Sequence, residues 1–219
     1  MLTASQTQQA IKIMGQKFPD ATTSLVADTP FHFLLAVILS AQTTDKAVNR
    51  LTPKLFARYP TPESLATATE SEVIPLIKTI GLYRNKAKHL IGCAQGLVNK
   101  FASQVPQTRS ELMQLAGVGQ KTANVVLAEC FNIPALAVDT HVSRVARRLA
   151  MVSPQAKVAE IEKTLKQKLP AESWIAAHHR MIYWGRYQCM ARKPLCESCP
   201  LLSLCAFGKK QKNKFKKIR

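Results

Sequence analysis

An all-α fold is predicted by three features of the 219-residue sequence. Apolar residues recur every three to four positions along most of the chain, which is the spacing of the buried face of a helix. Glycine is scarce, at eight residues. No segment alternates apolar and polar residues in the way that a half-buried strand does. We therefore expect helices that are joined by short turns.

Capping residues mark where several helices begin. Thr61 precedes Pro62, an N-cap followed by proline at the first helical position. Thr108 with Glu111 three residues later has the pattern of a capping box. Ser153, which also precedes a proline, predicts a third start. Further helices are predicted from the apolar periodicity at residues 3–17, 31–41, 45–59, 85–101, 121–132, 140–151 and 171–187.

The charge balance points to a polyanionic partner. Lys and Arg number 31 against 13 Asp and Glu, a formal net charge of +18. Residues 208–219 contain seven of the cations and no acid, and we expect this basic tail to be mobile. The first 207 residues still carry +11, with 24 cations against 13 acids. Nucleic acid is the first candidate partner, and acidic lipid is the second.

Composition excludes several other classes of protein. Hydrophobic residues make up 47% of the chain, which is too many for a disordered protein. The longest apolar run, at residues 31–41, is interrupted by His32 and Ser40 and is about half the ~20 residues that a membrane helix needs. The first 18 residues lack the pattern of a signal peptide. We expect a cytoplasmic protein without a membrane segment, whose thiols stay reduced.

Four of the six cysteines fall within seventeen residues, in the pattern C-x6-C-x2-C-x5-C. Four thiolates so close in sequence can converge on one metal centre. Zinc ribbons usually have two C-x2-C pairs, whereas this segment has one, so the chemistry favours a [4Fe-4S] cluster slightly over zinc. The other two cysteines are predicted to be small buried hydrophobes. The proposed ligands are Cys189, Cys196, Cys199 and Cys205; the isolated pair are Cys93 and Cys130.

A turn with two glycines lies between two predicted helices, at residues 115–119. Gly117 and Gly119 allow a tight turn with exposed backbone N–H groups. The next helix begins near Lys121, and its first amides add further donors. Such a helix N-terminus can hold a phosphate without base specificity. An ordinary helix–helix turn is the alternative interpretation.

Residues 115–123, LAGVGQKTA, resemble the helix–hairpin–helix of the base-excision DNA glycosylases. Residues 138–144, VDTHVSR, resemble that family's VDTH element, and the cysteine spacing is similar to its [4Fe-4S] loop. Further similarities lie at residues 39–45, LSAQTTD, and 80–87, IGLYRNKA. Two departures are Ala116, where members often have proline, and the basic tail after Phe207.

The resemblance implies two lobes with a DNA cleft between them. One lobe would be a six-helix barrel, at residues 22–134, that carries the hairpin. The other would join residues 1–21 to residues 135–207 and hold a [4Fe-4S] cluster, with 208–219 as a basic tail. The implied partner is damaged double-stranded DNA, bound by a monomer in the bacterial cytoplasm at the nucleoid.

The resemblance also implies a glycosylase and abasic-site lyase for oxidised pyrimidines, with Lys121 and Asp139 as its catalytic pair across the cleft. A lysine is nucleophilic only when neutral, and its ordinary pKa is ~10.4. Neighbouring positive charge, a helix N-terminus and partial burial would lower the pKa of Lys121. Asp139 would help to deprotonate the amine and would stabilise cationic sugar; an N-cap role is its structural alternative.

The remaining implied residues contact DNA. A flipped nucleotide leaves a gap, which Gln42, Leu82 and His141 would fill. Without the resemblance, Leu82 would be a core leucine. Phosphate contacts are implied for Gly117, Gly119, Arg192 and Lys193, and a base pocket for Ser40 and Asp45. The competing functions are a thymine or uracil mismatch glycosylase of the same family, a non-catalytic DNA-binding iron–sulfur protein and a small electron-transfer protein.

Overall fold

The structure is a computed structural model that describes residues 1–216, with the side chains of residues 1–211. The predicted all-α class is confirmed, and the described residues contain no strand. A 3-10 turn at Ala171–Ser173 and a π-helix at Trp184–Gln188 flank the eleventh α-helix. The α-helices are α1 (Ala4–Lys17), α2 (Pro30–Leu39), α3 (Asp45–Arg58), α4 (Pro62–Ala66), α5 (Glu70–Ile77), α6 (Tyr83–Phe101), α7 (Arg109–Leu112), α8 (Gln120–Phe131), α9 (Thr140–Arg148), α10 (Val158–Lys168), α11 (Trp174–Tyr183) and α12 (Ala206–Lys216).

Two of the three predicted caps are formed. The Thr61 hydroxyl accepts a hydrogen bond from the amide of Ser64, and the Thr108 hydroxyl accepts one from the amide of Glu111, at 3.3 Å. The start predicted at Ser153 is wrong, because α10 begins only at Val158. The Ser153 carbonyl instead accepts from the Ala156 amide and closes a turn. The Arg147 side chain donates to the Ala156 carbonyl at 2.7 Å and helps to fix this non-helical segment.

Two other boundaries differ from the predicted ones. Residues 171–187 do not form one regular helix but pass from a 3-10 turn through α11 into the π-helix. The basic tail was expected to be mobile from Lys209, but its backbone is helical as far as Lys216, within α12. The Lys209 amide donates a hydrogen bond to the Cys205 carbonyl at 3.1 Å. Residues 217–219 lie outside the described part of the chain.

The chain forms two compact units. One is Ser24–Ile133, and the other joins Met1–Thr23 to the chain from Pro134 onward. Helix α2 is the centre of the first unit, since every residue from Phe31 to Leu39 is buried and it packs against α3, α6 and α8. The other unit buries the apolar face of α1 against α10 and α11, around side chains that include Met14 and Trp184.

Within the described residues, no helix is both long enough and apolar enough to cross a membrane.

Candidate functional site

The two-glycine turn joins α7 to α8 and needs glycine at only one of its two positions. Gly117 has φ of +75°, and a Cβ placed there would lie 2.8 Å from the Cβ of His89. Gly119 is the N-cap of α8 with φ of −94°, and a Cβ there would meet nothing within 4 Å. Leu115 and Val118 are buried and fix the turn, whereas both glycines are exposed. The turn therefore presents the first amides of α8 to solvent, as a phosphate site requires.

Lys121 is the second residue of α8, so the predicted helix N-terminus is present beside it. Its side chain is exposed, in contrast with the partial burial that we expected. Lys121 lies in the unit formed by Ser24–Ile133, whereas Asp139 belongs to the other unit, and their pairing stays a prediction.

Asp139 is the N-cap of α9, as its structural alternative proposed. Its Oδ1 accepts a hydrogen bond from the Val142 amide at 2.8 Å. The preceding residues 135–138 are buried, and the carbonyl of Ala137 is 2.8 Å from Nδ1 of His178. The Val142 amide thus holds the carboxylate, and the contact with His178 fixes the backbone that precedes Asp139. Because the cap uses Oδ1, the second carboxylate oxygen stays available for chemistry.

Gln42 and Leu82 share an uncommon backbone conformation. Both lie in the left-handed region, with φ of 54° and 59°, although neither is glycine. Leu82 is 54% exposed, so the alternative of a core leucine is wrong. Non-glycine residues in this region carry strain and concentrate at functional sites. The strain and the exposure agree with a role on the surface rather than in the core.

His141, the third residue predicted to fill the gap, lies one residue into α9 and is half-buried. Its Nδ1 is 3.1 Å from the guanidinium of Arg144. Burial is the main cause that lowers the pKa of His141, and the positive charges of Arg144 and Arg186 lower it further, against the opposing effect of Asp139. The imidazole is therefore neutral near pH 7 and offers one donor and one acceptor.

Ser40 and Asp45, the predicted pocket residues, lie at the two ends of the loop that carries Gln42. Ser40 is the C-cap of α2, and its hydroxyl donates to the Val37 carbonyl at 2.8 Å. Asp45 is the first residue of α3 and is half-buried. The structure brings these two residues and Gln42 into one short loop.

The four clustered cysteines line one cavity, whose other walls are mostly apolar and include Trp184, Leu195 and Phe207. The π-helix ends at Gln188 and delivers Cys189, whose amide donates to the Trp184 carbonyl at 2.6 Å. In the part of the chain with described side chains, no three His, Cys, Asp or Glu groups meet closely enough to hold a single ion. The four thiols thus line one cavity, but they do not converge on a single point at which one ion could be coordinated.

Two donors aim at the cysteine sulfurs. The Gly208 amide donates to Sγ of Cys205 at 3.2 Å, and the Arg148 guanidinium donates to Sγ of Cys189 at 3.4 Å. Burial raises the pKa of Cys196, Cys199 and Cys205. Thiolates in a buried, apolar setting need a bound cation and N–H donors. Four thiols with these donors in a mostly apolar cavity fit a [4Fe-4S] cluster.

Cys93 is buried as predicted, whereas Cys130 is only partly buried. Burial raises the pKa of Cys93 to about 12, and the pKa of Cys130 also rises to about 12, mainly through burial. Neither is therefore a thiolate near neutral pH.

Arg192 and Lys193 lie between the first two cluster cysteines. Both are exposed, so their side chains are open to a phosphate contact, and Lys193 has φ of 50°.

Sequence patterns missed three residues around these groups. Arg144 and Arg148 are spaced four residues apart on α9 and both bind the Cys189 segment, through contacts such as Arg144 Nε to the Cys189 carbonyl at 3.1 Å. Their spacing was the available signal. Lys86 is a buried cation on α6, and no local pattern distinguishes it from the other lysines.

Comparison with known proteins agrees with this arrangement. The model of the HhH-GPD superfamily of base excision DNA repair proteins matches residues 35–171, which include the hairpin, Lys121 and Asp139. The model of the iron-sulfur binding domain of endonuclease III matches residues 189–205, which span the four cysteines. The chain belongs to the HhH-GPD superfamily of base excision DNA repair proteins.

Within that superfamily, its relatives are endonuclease III proteins. It is 46% identical to endonuclease III of Bacillus subtilis over 98% of both chains. It is 43% identical to endonuclease III of Escherichia coli, over 88% of this chain and 90% of that one. A solved structure of a trapped endonuclease III–DNA covalent intermediate shares 48% identity with a TM-score of 0.93, over 96% and 99% of the two chains.

These matches confirm the predicted resemblance and the [4Fe-4S] cofactor, and they set zinc aside. They favour a repair enzyme over a non-catalytic iron–sulfur protein or an electron-transfer protein. A thermostable thymine-DNA glycosylase is 24% identical with a TM-score of 0.85, a likeness that concerns the fold alone.

Proposed function

We propose that this base excision repair enzyme removes oxidised pyrimidines from duplex DNA and then cuts the strand by β-elimination, with Lys121 as its nucleophile. The observation that carries the proposal is the position of Lys121, exposed at the second residue of α8 directly after the two-glycine turn. A related endonuclease III has been captured as a covalent intermediate with DNA. A covalent intermediate requires a nucleophile, and an amine beside a phosphate grip is suited to attack a sugar carbon.

In the first step, the amine of Lys121 replaces the damaged base at C1′ of the sugar. The lone pair of Lys121 Nζ attacks C1′, and the C1′–N bond breaks with its electron pair leaving on the base, which takes up a proton. Asp139 accepts a proton from the amine and faces the cationic sugar through its second oxygen. Cleavage of the C1′–O4′ bond then opens the ring, O4′ is protonated, and a Schiff base forms between C1′ and Lys121.

The second step cuts the strand. Loss of a proton from C2′ and departure of the 3′-phosphate form a double bond between C2′ and C3′. Water then hydrolyses the Schiff base and regenerates the Lys121 amine. A related enzyme without such a lysine would activate water and stop at the abasic site. The proposed lysine therefore predicts that base release and strand cleavage belong to one active site.

The groups proposed to recognise DNA lie in both units. The amides at Gly117 and Gly119 hold a phosphate, and Arg192 and Lys193 add phosphate contacts from the cluster loop. Gln42, Leu82 and His141 fill the gap, and the loop bounded by Ser40 and Asp45 borders the flipped base. Cys189, Cys196, Cys199 and Cys205 would hold the [4Fe-4S] cluster, and bonds from their thiolates would fix the shape of the cluster loop. The proposed setting is a monomer on damaged duplex DNA, in the bacterial cytoplasm at the nucleoid.

Borohydride trapping tests the nucleophile. Reduction of the Schiff base leaves a stable amine, so wild-type protein should form a covalent adduct with an abasic duplex, and Lys121→Ala should form none. Lys100→Ala, at the exposed end of α6, removes the same charge and should trap normally. An undiminished adduct with Lys121→Ala would contradict the assignment.

A lesion panel tests the substrate. Duplexes that each carry one oxidised pyrimidine, a T·G mismatch or a U·G mismatch are scored separately for base release and for strand cleavage. We expect oxidised pyrimidines to be released first and cut in step with release. Preferential release from the mismatches would instead assign the chain to mismatch repair within the same family.

A further inference from the structure

Lys86 is a buried cation that the proposed chemistry does not use. It is 3% exposed on α6, and burial lowers its pKa. Its Nζ donates a hydrogen bond to Oγ1 of Thr43 at 2.7 Å. A buried ammonium is costly unless its hydrogen bonds compensate for lost water. The burial of the Lys86 ammonium beside Thr43 therefore points to a task for the contact between these two residues.

The Thr43 hydroxyl closes the turn around Gln42. It donates to the Ala41 carbonyl at 3.4 Å, while the Thr43 amide donates to the Ser40 carbonyl at 3.0 Å. A hydroxyl that accepts from an ammonium turns its own proton toward the next acceptor. The Lys86 side chain thus stabilises the turn that keeps Gln42 in its left-handed conformation.

The backbone of Lys86 holds the other left-handed residue. Its amide donates to the Leu82 carbonyl at 3.0 Å, which forms the first turn of α6. Leu82 is the N-cap of that helix and is exposed. One residue therefore holds Gln42 through its side chain and Leu82 through its backbone, within a single compact unit.

We propose that Lys86 is a positioning residue that couples Gln42 to Leu82, so that the two enter the DNA gap as one preorganised pair. The inference rests on the proposed function, which gives both residues their task. Two independently mobile side chains would each lose conformational entropy on entering the duplex, whereas a prearranged pair loses less. Thr43 is the second half of the connection.

The experiment compares Lys86→Met with Thr43→Val. Lys86→Met keeps an unbranched apolar stem and removes the ammonium, so the fold survives; thermal unfolding checks this. Thr43→Ser retains the hydroxyl and is the conservative rescue. Lys100→Met is the matched control for loss of one charge on α6. A 2-aminopurine opposite an abasic-site analogue reports unstacking, and single-turnover cleavage is measured on duplex and on single-stranded abasic DNA.

We expect Lys86→Met and Thr43→Val each to reduce the 2-aminopurine signal. The enzyme concentration for half-maximal duplex cleavage should rise about tenfold, the usual effect of one lost hydrogen bond to a charged group. For Lys86→Met, cleavage of single-stranded abasic DNA, which has no gap to fill, should stay within about twofold of wild type. The double variant should be no worse than either single one, since both remove the same contact.

Wild-type signal and half-maximal concentration in both single variants would overturn the coupling. Equal losses on single-stranded and duplex DNA would also overturn it, because they would place the defect in chemistry or folding. So would effects that multiply in the double variant. Failure of wild-type protein to form the borohydride adduct would contradict the proposed function instead, and the 2-aminopurine signal would still test the coupling during DNA binding.

Discussion

At the level of single residues, positive φ occurs at two kinds of position. At one kind the residue has to be glycine, and at the other a residue with a side chain adopts the same conformation. Gly117 has positive φ and also a close neighbour, so both conformation and space require glycine. Gln42 and Leu82 have positive φ but carry exposed side chains. Each such residue costs about 1–2 kcal/mol relative to an ordinary conformation. For Gln42 and Leu82 we expect this cost to be accepted because their side chains are those proposed to enter the DNA gap.

Gly117→Ala should destabilise the hairpin by about 1–3 kcal/mol, because φ is positive and the new Cβ would meet His89. Urea unfolding measures the change. Gly119→Ser is the control, because its Cβ would enter open space and serine suits the N-cap position, so it should leave stability nearly unchanged. Equal destabilisation by both substitutions would contradict the distinction between these two glycines.

Asp139 has a structural and a proposed chemical role, and two substitutions separate them. Asparagine caps helices as well as aspartate does, so Asp139→Asn should leave stability nearly unchanged while base release is lost. Asp139→Ala should lose base release and about 1 kcal/mol of stability as well, because the bond to the Val142 amide disappears. Base-release assays and urea unfolding give the two readouts. Full activity in Asp139→Asn would restrict this residue to capping.

At the scale of elements, α9 connects the proposed chemistry to the cluster loop. Asp139 caps one end of the helix, and Arg148 at the other end donates to the Met190 carbonyl at 2.7 Å and to Sγ of Cys189. The same guanidinium lies 4.3 Å from the ring centre of Phe207, just after the last cysteine. The helix therefore holds both ends of the cluster segment.

Arg148→Gln should weaken retention of the cluster by about tenfold, the lower end of the effect of losing a group that orients a metal ligand. The measurement is the decay of iron–sulfur absorbance, at about 400 nm, in the presence of a chelator. Arg192→Gln, on the exposed part of the same loop, should retain the cluster as the wild type does. Identical decay in both variants would remove Arg148 from cluster retention.

The helices that local signals define were predictable, whereas the positions of several functional residues were not. Thr61 and Thr108 cap helices through contacts three residues away, so sequence patterns suffice to find them. Lys121 was placed correctly at a helix start because glycine turns are local. The hydrogen bond from Lys86 to Thr43 joins residues 43 positions apart, and no local pattern encodes it. Ser153 forms a turn with Ala156 instead of a helix start, and the contact from Arg147 to the Ala156 carbonyl is not part of the capping pattern.

At the scale of the whole molecule, the net charge of +18 has separable parts. The +11 on the first 207 residues belongs to a body with a phosphate hairpin and a cluster loop. The basic tail continues from the cluster, where Gly208 packs against Leu202 and Cys205. We expect its cations to strengthen DNA affinity without any preference for a lesion, since such attraction does not depend on sequence.

Removal of residues 211–219 deletes five cations and keeps Gly208 beside Cys205. Each lost phosphate contact should lower the slope of log affinity against log salt by about 0.9, up to about 4.5 for all five cations. The ratio of affinities for lesion and undamaged duplexes should stay the same. Fluorescence anisotropy at several salt concentrations measures both. An unchanged salt slope would mean that the tail does not contact DNA.

The discontinuous unit has a consequence for the order in which the molecule is made. Residues 24–133 emerge from the ribosome as a complete folding unit. Helix α1 emerges earlier but cannot bury its apolar face until α10 and α11 have been made. The Leu2 amide likewise donates a hydrogen bond to the carbonyl of Ala150, which is made later. The four thiols come later still, at residues 189–205. The four-cysteine site is therefore complete only after translation has passed Cys205, so full ligation of the cluster cannot come earlier.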